Sequence, residues 1–169
     1  MTSLFSHPTF AEDQPYAHAI LYLHVMRASA MSFSFLSLSE LPVLIAVSRY
    51  RQMPIDYTAL LSRTVNISGR SLVLGTAAGA LMTWGRMRGR EEIEWKDRSW
   101  RILENKGEVK TDWVTFGGAG VCAIVAALAA KKGILYPSVA NAALGGAGVG
   151  MASGVPYMIA SFAVGRQPA

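Results

Sequence analysis

The sequence predicts an all-α integral membrane protein with about four transmembrane helices, and three observations carry that prediction. Hydrophobic residues make up 51% of the chain and Asp, Glu, Lys and Arg together only 16%, against about 25% charged residues in soluble proteins. More than half of the charge is concentrated between Arg86 and Asp112, which holds eight basic and seven acidic residues. From Gly133 to Gly165 there is no charge at all, a run that a membrane buries and a small soluble domain does not.

The elements follow in order. Residues 1–15 are polar, carry two prolines and two acids, and read as a surface tail ahead of a single membrane domain, 16–169. The apolar region from Tyr16 to Val47 would reach about 48 Å as one helix, more than the roughly 30 Å of a hydrocarbon core. Pro42 is its natural break, so the main first span is placed at 17–38, with 28–48 as the other frame. The second span is framed at about 64–85, which puts Arg63 and Arg70 on one helix face where both can snorkel to one interface. Residues 86–112 form a hydrophilic loop. Within it Glu92 and Lys96, Glu94 and Arg98, and Asp97 and Arg101 stand at i,i+4 in the acid-to-base order that favours a solvated helix. Gly107 is expected to end that helix. Trp84 and Trp113 flank the loop where indoles prefer the membrane interface.

The third span is placed at 113–130, closed by Lys131 and Lys132. The fourth runs over about 137–164, with Pro137 in its first turn and a kink at Pro156. An even number of spans puts both termini on one side; that side holds more lysine and arginine, but most of it lies in a nearly neutral loop, so the charge gives only a weak vote on orientation.

A four-residue repeat of small side chains is the most regular local pattern. It reads Ser71, Gly75, Gly79, Thr83 in the second span, Gly118, Cys122, Ala126, Ala130 in the third and Ala142, Gly146, Gly150, Gly154 in the fourth. Each stripe leaves a smooth helix face that lets backbones approach, which is how helices associate where water supplies no driving force. The first span has no glycine. It carries His18, His24, Arg27 and, beyond Ser39, Glu40. Arg27 and Glu40 point almost oppositely on a straight helix and stand about 20 Å apart along it. Each is therefore expected to meet an external partner, the interface or a helix break, which makes this span the candidate for docking to another subunit.

Several kinds of chemistry lack their residues. One cysteine gives no disulfide framework and no cysteine-rich metal site, and Cys122 reads as a packing residue. A net charge of +5 without a basic patch interleaved with aromatics gives no nucleic-acid signature. Gly145 to Gly154 is rich in glycine but lacks the strand and polar context of a phosphate loop. His18 and His24 do not share a helix face, and no other span supplies a histidine for haem. No catalytic constellation, cofactor site or metal site is expected, and spans two to four as framed contain no acid for a translocation path. The N-terminal stretch has no basic n-region, and Arg27 is the first arginine, behind Glu12 and Asp13. An organellar address is therefore expected to be internal.

The block Tyr16 to Ala28 (YAHAILYLHVMRA), together with the four-span layout, resembles the small NUXM-type accessory membrane subunits of fungal mitochondrial complex I. That resemblance implies a non-catalytic subunit of the inner membrane, bound to the hydrophobic arm of NADH:ubiquinone oxidoreductase and supporting its assembly and stability. A second block of features is similar to the inner-membrane protein translocase channel family, which has a relative inside complex I. It comprises Gly75, Gly79, the charged loop, Asp112, Gly117, Gly118 and the glycines of the fourth span. The serine-rich first span departs from that family's glycine pattern. The partners implied are other membrane-arm subunits and phospholipid, cardiolipin included, with Arg63, Arg70, Lys131 and Lys132 as head-group contacts.

Overall fold

The computed structural model describes residues 4–164, so the C-terminal tail beyond Val164 and the first three residues lie outside the description. All regular structure among the described residues is helical. After a short 3-10 turn at Ala11–Asp13 come α1 (Ala17–Leu38), α2 (Glu40–Tyr50), α3 (Tyr57–Met87), α4 (Glu92–Glu104), α5 (Lys106–Lys131), α6 (Val139–Met151) and α7 (Gly154–Ala163). Three helical stretches are long and apolar enough to cross a membrane, Ala17–Tyr50, Lys106–Lys131 and Val139–Ala163. The expected second span, α3, is not among them, because Arg63, Asn66 and Arg70 dilute its apolar run.

Two prolines set the breaks by one mechanism. Pro42 and Pro156 each occupy the third position of a new helix, α2 and α7. A proline has no N–H to offer the carbonyl four residues back and its ring crowds that carbonyl, so the helix yields one turn upstream. The residues four back are Leu38, where α1 ends, and Ala152, the C-cap of α6. The first break falls where 17–38 had been framed, whereas the second lies upstream of the expected kink at Pro156 itself. Pro137 is not in the first turn either: Ser138 caps α6, its Oγ accepting from Asn141 N at 3.3 Å, and Pro137 precedes the cap.

The helix in the charged loop is present, but Gly107 does not end it. Asn105 closes α4 and opens α5, its Oδ1 accepting from Gly107 N at 2.9 Å and Glu108 N at 3.4 Å. The third helix thus begins at Lys106, seven residues ahead of the expected Trp113. The framing at 113 marked where polarity falls, and a capped helix continues beyond that point. Likewise α3 starts at Tyr57, where Asp56 Oδ1 accepts from Thr58 N and Ala59 N at 2.9 and 3.1 Å.

The helices run up and down. α3 lies antiparallel to α1, with Gly75 beside Ala30 and Gly79 beside Met26, and α6 lies antiparallel to α5, with Gly150 beside Gly118 and Gly146 beside Cys122. α3 and α6 run parallel, Gly145 against Val65 and Gly148 against Ser68. The start of α1, the end of α3, all of α4 and the start of α5 therefore share one end of the bundle.

The bundle is inverted relative to a soluble one. Its buried residues are mostly Ala, Gly, Ser, Thr and Met, with Ile20 and Leu21 the exceptions among large aliphatics. Large side chains face outward: Val121, Ile124, Val125 and Leu128 form an i, i+3, i+4, i+7 stripe on the outside of α5. Soluble domains bury such residues and do not expose so continuous an apolar face.

Candidate functional site

The polar centre of the molecule lies between α1 and α5. Arg27, ten residues into α1, has a side chain only 2% exposed. Its guanidinium bridges two carboxylates one helical turn apart, Nη2 to Glu108 Oε2 at 2.5 Å and Nε to Asp112 Oδ1 at 2.8 Å. His24, one turn back on α1, brings Nδ1 to 3.8 Å from the same Glu108 oxygen. The i,i+3 and i,i+4 spacings on the two helices make this possible: His24 and Arg27 share one face of α1, and Glu108 and Asp112 share one face of α5. Arginine suits the place, because its planar fork meets two acceptors at once where lysine would present a single point charge. Just deeper, Met31 packs with Ala119, and Met31 and Thr115 enclose Gly154 at the start of α7. Thr115 Oγ1 donates back to Thr111 O and Asp112 O at 2.8 and 2.9 Å, which holds this part of α5.

This corrects the expectation that Arg27 meets an external partner. The residues missing from that expectation were Glu108 and Asp112, assigned to the loop although they begin a membrane-length helix. Glu40 is also satisfied within the chain, by Arg63 Nη2 at 2.5 Å, at the opposite end of the bundle from α4. His24 and Arg27 thus gather at one site while Glu40 and Arg63 form a separate, more exposed pair. Arg70, Lys131 and Lys132 are exposed, the lysines at the C-terminal end of α5 where positive charge suits the helix dipole.

A second assembly covers the α4 end. Glu92 accepts from His18 of α1 at 2.8 Å, and the His18 ring stacks on Trp95 with centroids 3.9 Å apart. Trp95, Ala17, Leu21 and Met87 bury one another, which pins α4 across the ends of α1 and α3. The N-terminal residues lie along α4 and are not a loose tail. Trp100 Nε1 donates to Pro8 O at 2.9 Å, Lys96 Nζ to Glu12 O at 2.8 Å, and buried Gln14 Nε2 to Ser6 O at 3.0 Å. Of the three expected i,i+4 pairs, Glu94–Arg98 (4.0 Å) and Asp97–Arg101 (3.1 Å) form. Glu92 binds α1, and Lys96 binds the N-terminal strap, residues 4–15, that lies along α4.

The small-residue stripes are spent on packing within the chain. A Cβ at Gly79 would lie 2.6 Å from Met26 Cα, and one at Gly118 would lie 2.7 Å from Gly150 O. Gly75, Gly146, Gly150 and Gly154 are as closely opposed, Ala142 and Ala126 are buried, and Cys122 presents its carbonyl to Gly146. Ser71 is only half-buried, at the margin of its stripe. A contact the stripes did not predict joins Ser68 and Gly69 of α3 to Gly145 and Gly148 of α6. The signal for it was the run Gly145, Gly146, Ala147, Gly148: glycines on two faces mark a helix flanked on both sides. Gly117 and Gly120, by contrast, have open space beside them.

No group of three His, Cys, Asp or Glu suited to a metal ion occurs among the described residues. The arrangement neutralises charge between helices and locks their register. It defines an all-helical protein whose buried polar groups hold the bundle together and whose apolar side chains face out. The chain belongs to the DUF1757 family, a family of proteins of unknown function, which matches residues 7–159 and so spans the strap, the α1–α5 site and every helix interface described above. No curated protein matches the sequence.

Proposed function

We propose that the protein is a non-catalytic, multi-pass subunit of the mitochondrial inner membrane, an accessory component of the membrane arm of complex I. The observation that carries the architectural part is the fate of the glycine stripes. They are closed by neighbouring helices, and the large apolar side chains face outward, as in a bundle solvated by lipid or by other membrane helices. α3 is then the fourth span. α1 and α6 cover two of its faces through Gly75, Gly79, Ser68 and Gly69, while Arg63, Asn66 and Arg70, which keep it from qualifying by composition alone, stay on its outer side. The complex I assignment rests on the resemblance of Tyr16 to Ala28. Within that block His18, His24 and Arg27 are engaged inside the chain, so docking shifts from the polar face of α1 to apolar surfaces, chiefly the outer stripe of α5 and exposed Phe33, Phe35 and Leu36 on α1.

A mass-spectrometric profile across a native gel of mildly solubilised mitochondria tests the reading. Comigration with intact NADH dehydrogenase is the expected result. Migration with import components in a smaller complex, absent from the dehydrogenase peak, would overturn it in favour of a translocase component. Cysteines introduced near Gly75 or Gly150 give an independent arm. Packed helices protect them from water-soluble thiol reagents, and an aqueous protein-conducting groove exposes them.

A further inference from the structure

Between α3 and α6, on the outer surface and reaching from the half of the bundle away from α4 to the middle of α3, a groove of about 410 Å³ is lined by Asn66, Gly69, Arg70, Val73, Leu74, Asn141 and Leu144. We propose that it binds one anionic glycerophospholipid. The inference rests on the membrane reading above, though not on the complex I assignment. The lining is graded along the bundle axis. Along α3, Asn66 lies toward the bundle end, Arg70 one turn further in, and Val73 and Leu74 deepest; on the parallel α6, Asn141 is outermost and Leu144, beside Gly69, lies between the levels of Asn66 and Arg70. On α3 that is the order of a lipid's parts from head group to acyl chain; Arg70 stands thirteen residues into the helix, within reach of a head group by snorkelling toward Asn66 and Asn141.

The charges agree with this occupant. Arg27 and Arg63 each have a carboxylate partner, but among the described residues no carboxylate reaches Arg70, and neither Asn66 nor Asn141 spends its side-chain amide on a hydrogen bond within the chain. A cation and two amides facing a membrane-side groove call for a phosphate ester, with Arg70 as its fork-shaped donor. Asn141 stands in the first turn of α6, where the positive end of the helix dipole adds to the attraction. Arg49, Arg51, Lys131 and Lys132 lie at the same end, with Glu40 and Asp56 the acids there, which favours an anionic lipid over a zwitterionic one. The floor is Gly69, where a Cβ would stand 3.1 Å from Gly145 Cα; its absence brings the helices close and leaves the groove above them.

The full chain, purified in mild detergent, is incubated with phosphatidylglycerol or phosphatidylcholine of the same acyl chains and examined by native mass spectrometry. One retained phosphatidylglycerol per chain is expected, with phosphatidylcholine retained far less. Arg70→Gln should weaken retention about 10-fold, the size of one lost charge-assisted hydrogen bond. Val73→Trp, which fills the apolar end without removing the charge, should weaken it as well. Equal retention of the two lipids, or retention by Arg70→Gln at the wild-type level, overturns the proposal. So does a dimer peak in place of a lipid adduct, which would give the groove to a second copy. Flotation with liposomes after alkaline extraction separates the two readings. A chain that does not float loses both, and one that floats without preferring phosphatidylglycerol loses only the lipid site.

Discussion

Replacing Arg27 by Met removes the cation from a site whose two carboxylates stay where the helices put them. Asp112 is 2% exposed and Glu108 21%, so neither recovers full hydration. Removing one partner of a buried ion pair costs about 3–5 kcal/mol, mostly because the remaining charge stays buried without its partner. For a chain of this size about 2–4 °C of melting temperature is lost per kcal/mol, so the apparent midpoint should fall by about 6–20 °C. The triple variant R27M/E108Q/D112N removes all three charges and should recover most of the loss, because a buried ion pair gains little over neutral groups of similar shape. Of the single carboxylate changes, Asp112→Asn should cost more than Glu108→Gln, following their burial. The assay is thermal unfolding of the full chain in one detergent, followed by tryptophan fluorescence and far-ultraviolet circular dichroism. An R27M loss below about 1 kcal/mol would show that water reaches the cluster, and a triple variant no more stable than R27M would show that shape, not charge, holds the two helices.

Three further outcomes follow from the same geometry. Gly150→Val places side-chain atoms against the Gly118 backbone and should destabilise by at least about 1–3 kcal/mol, whereas Gly117→Ala, with open space at its Cβ, should be neutral or stabilising by up to about 1 kcal/mol; a paired melt of the two variants decides. Trp100→Phe deletes the indole hydrogen bond to Pro8 O, worth about 1 kcal/mol, and should speed proteolytic cleavage between Pro8 and Pro15 while leaving the bundle's melting unchanged; unchanged cleavage would mean that the strap is held elsewhere. Arg63→Gln breaks a pair whose arginine is 57% exposed, so its melting midpoint should move by less than that of a change worth about 1 kcal/mol, and a shift as large as that of Arg27→Met would contradict the difference in burial.

Composition and periodicity made the helical class, the break after Leu38, the helix within the charged loop and most of the packing glycines legible before any coordinates. What they did not reveal has a common cause, that hydropathy reports solvation and not helix bounds. Framing the third span at Trp113 left Asp112 and Glu108 in the loop and hid the partners of Arg27, although Asn105 is a good cap and the two acids already stood at i,i+4. Polarity likewise marks residues 1–15 as a tail, although Trp100 and Lys96 hold Pro8 and Glu12 against α4 by their backbone carbonyls, a kind of contact that leaves no sequence pattern. Glu92 and Lys96 illustrate the limit from the other side. Their spacing suits a helical pair worth a few tenths of a kcal/mol, and each took a tertiary partner instead.

The serine-rich first helix looked like the odd member of a glycine-striped set, and the packing explains why it needs no stripe. A close approach requires a missing side chain on one of the two surfaces. α3 supplies it for the α1 interface with Gly75 and Gly79, into which the Ala30 and Met26 backbone fits. α1 can then carry side chains with other work, His18 against Trp95 of α4 and Arg27 toward α5. α6 has the opposite task. Flanked by α3 and α5 it needs glycine on both faces, and where its α3 face widens again beyond Gly69 the groove with Arg70 opens. The distribution of glycine among the helices therefore follows how many neighbours each must approach, and a single glycine-free span does not by itself separate an architectural subunit from a channel. The accessibility of the α1–α3 and α5–α6 seams does, because a seam filled by opposing backbone has no room for a passing chain.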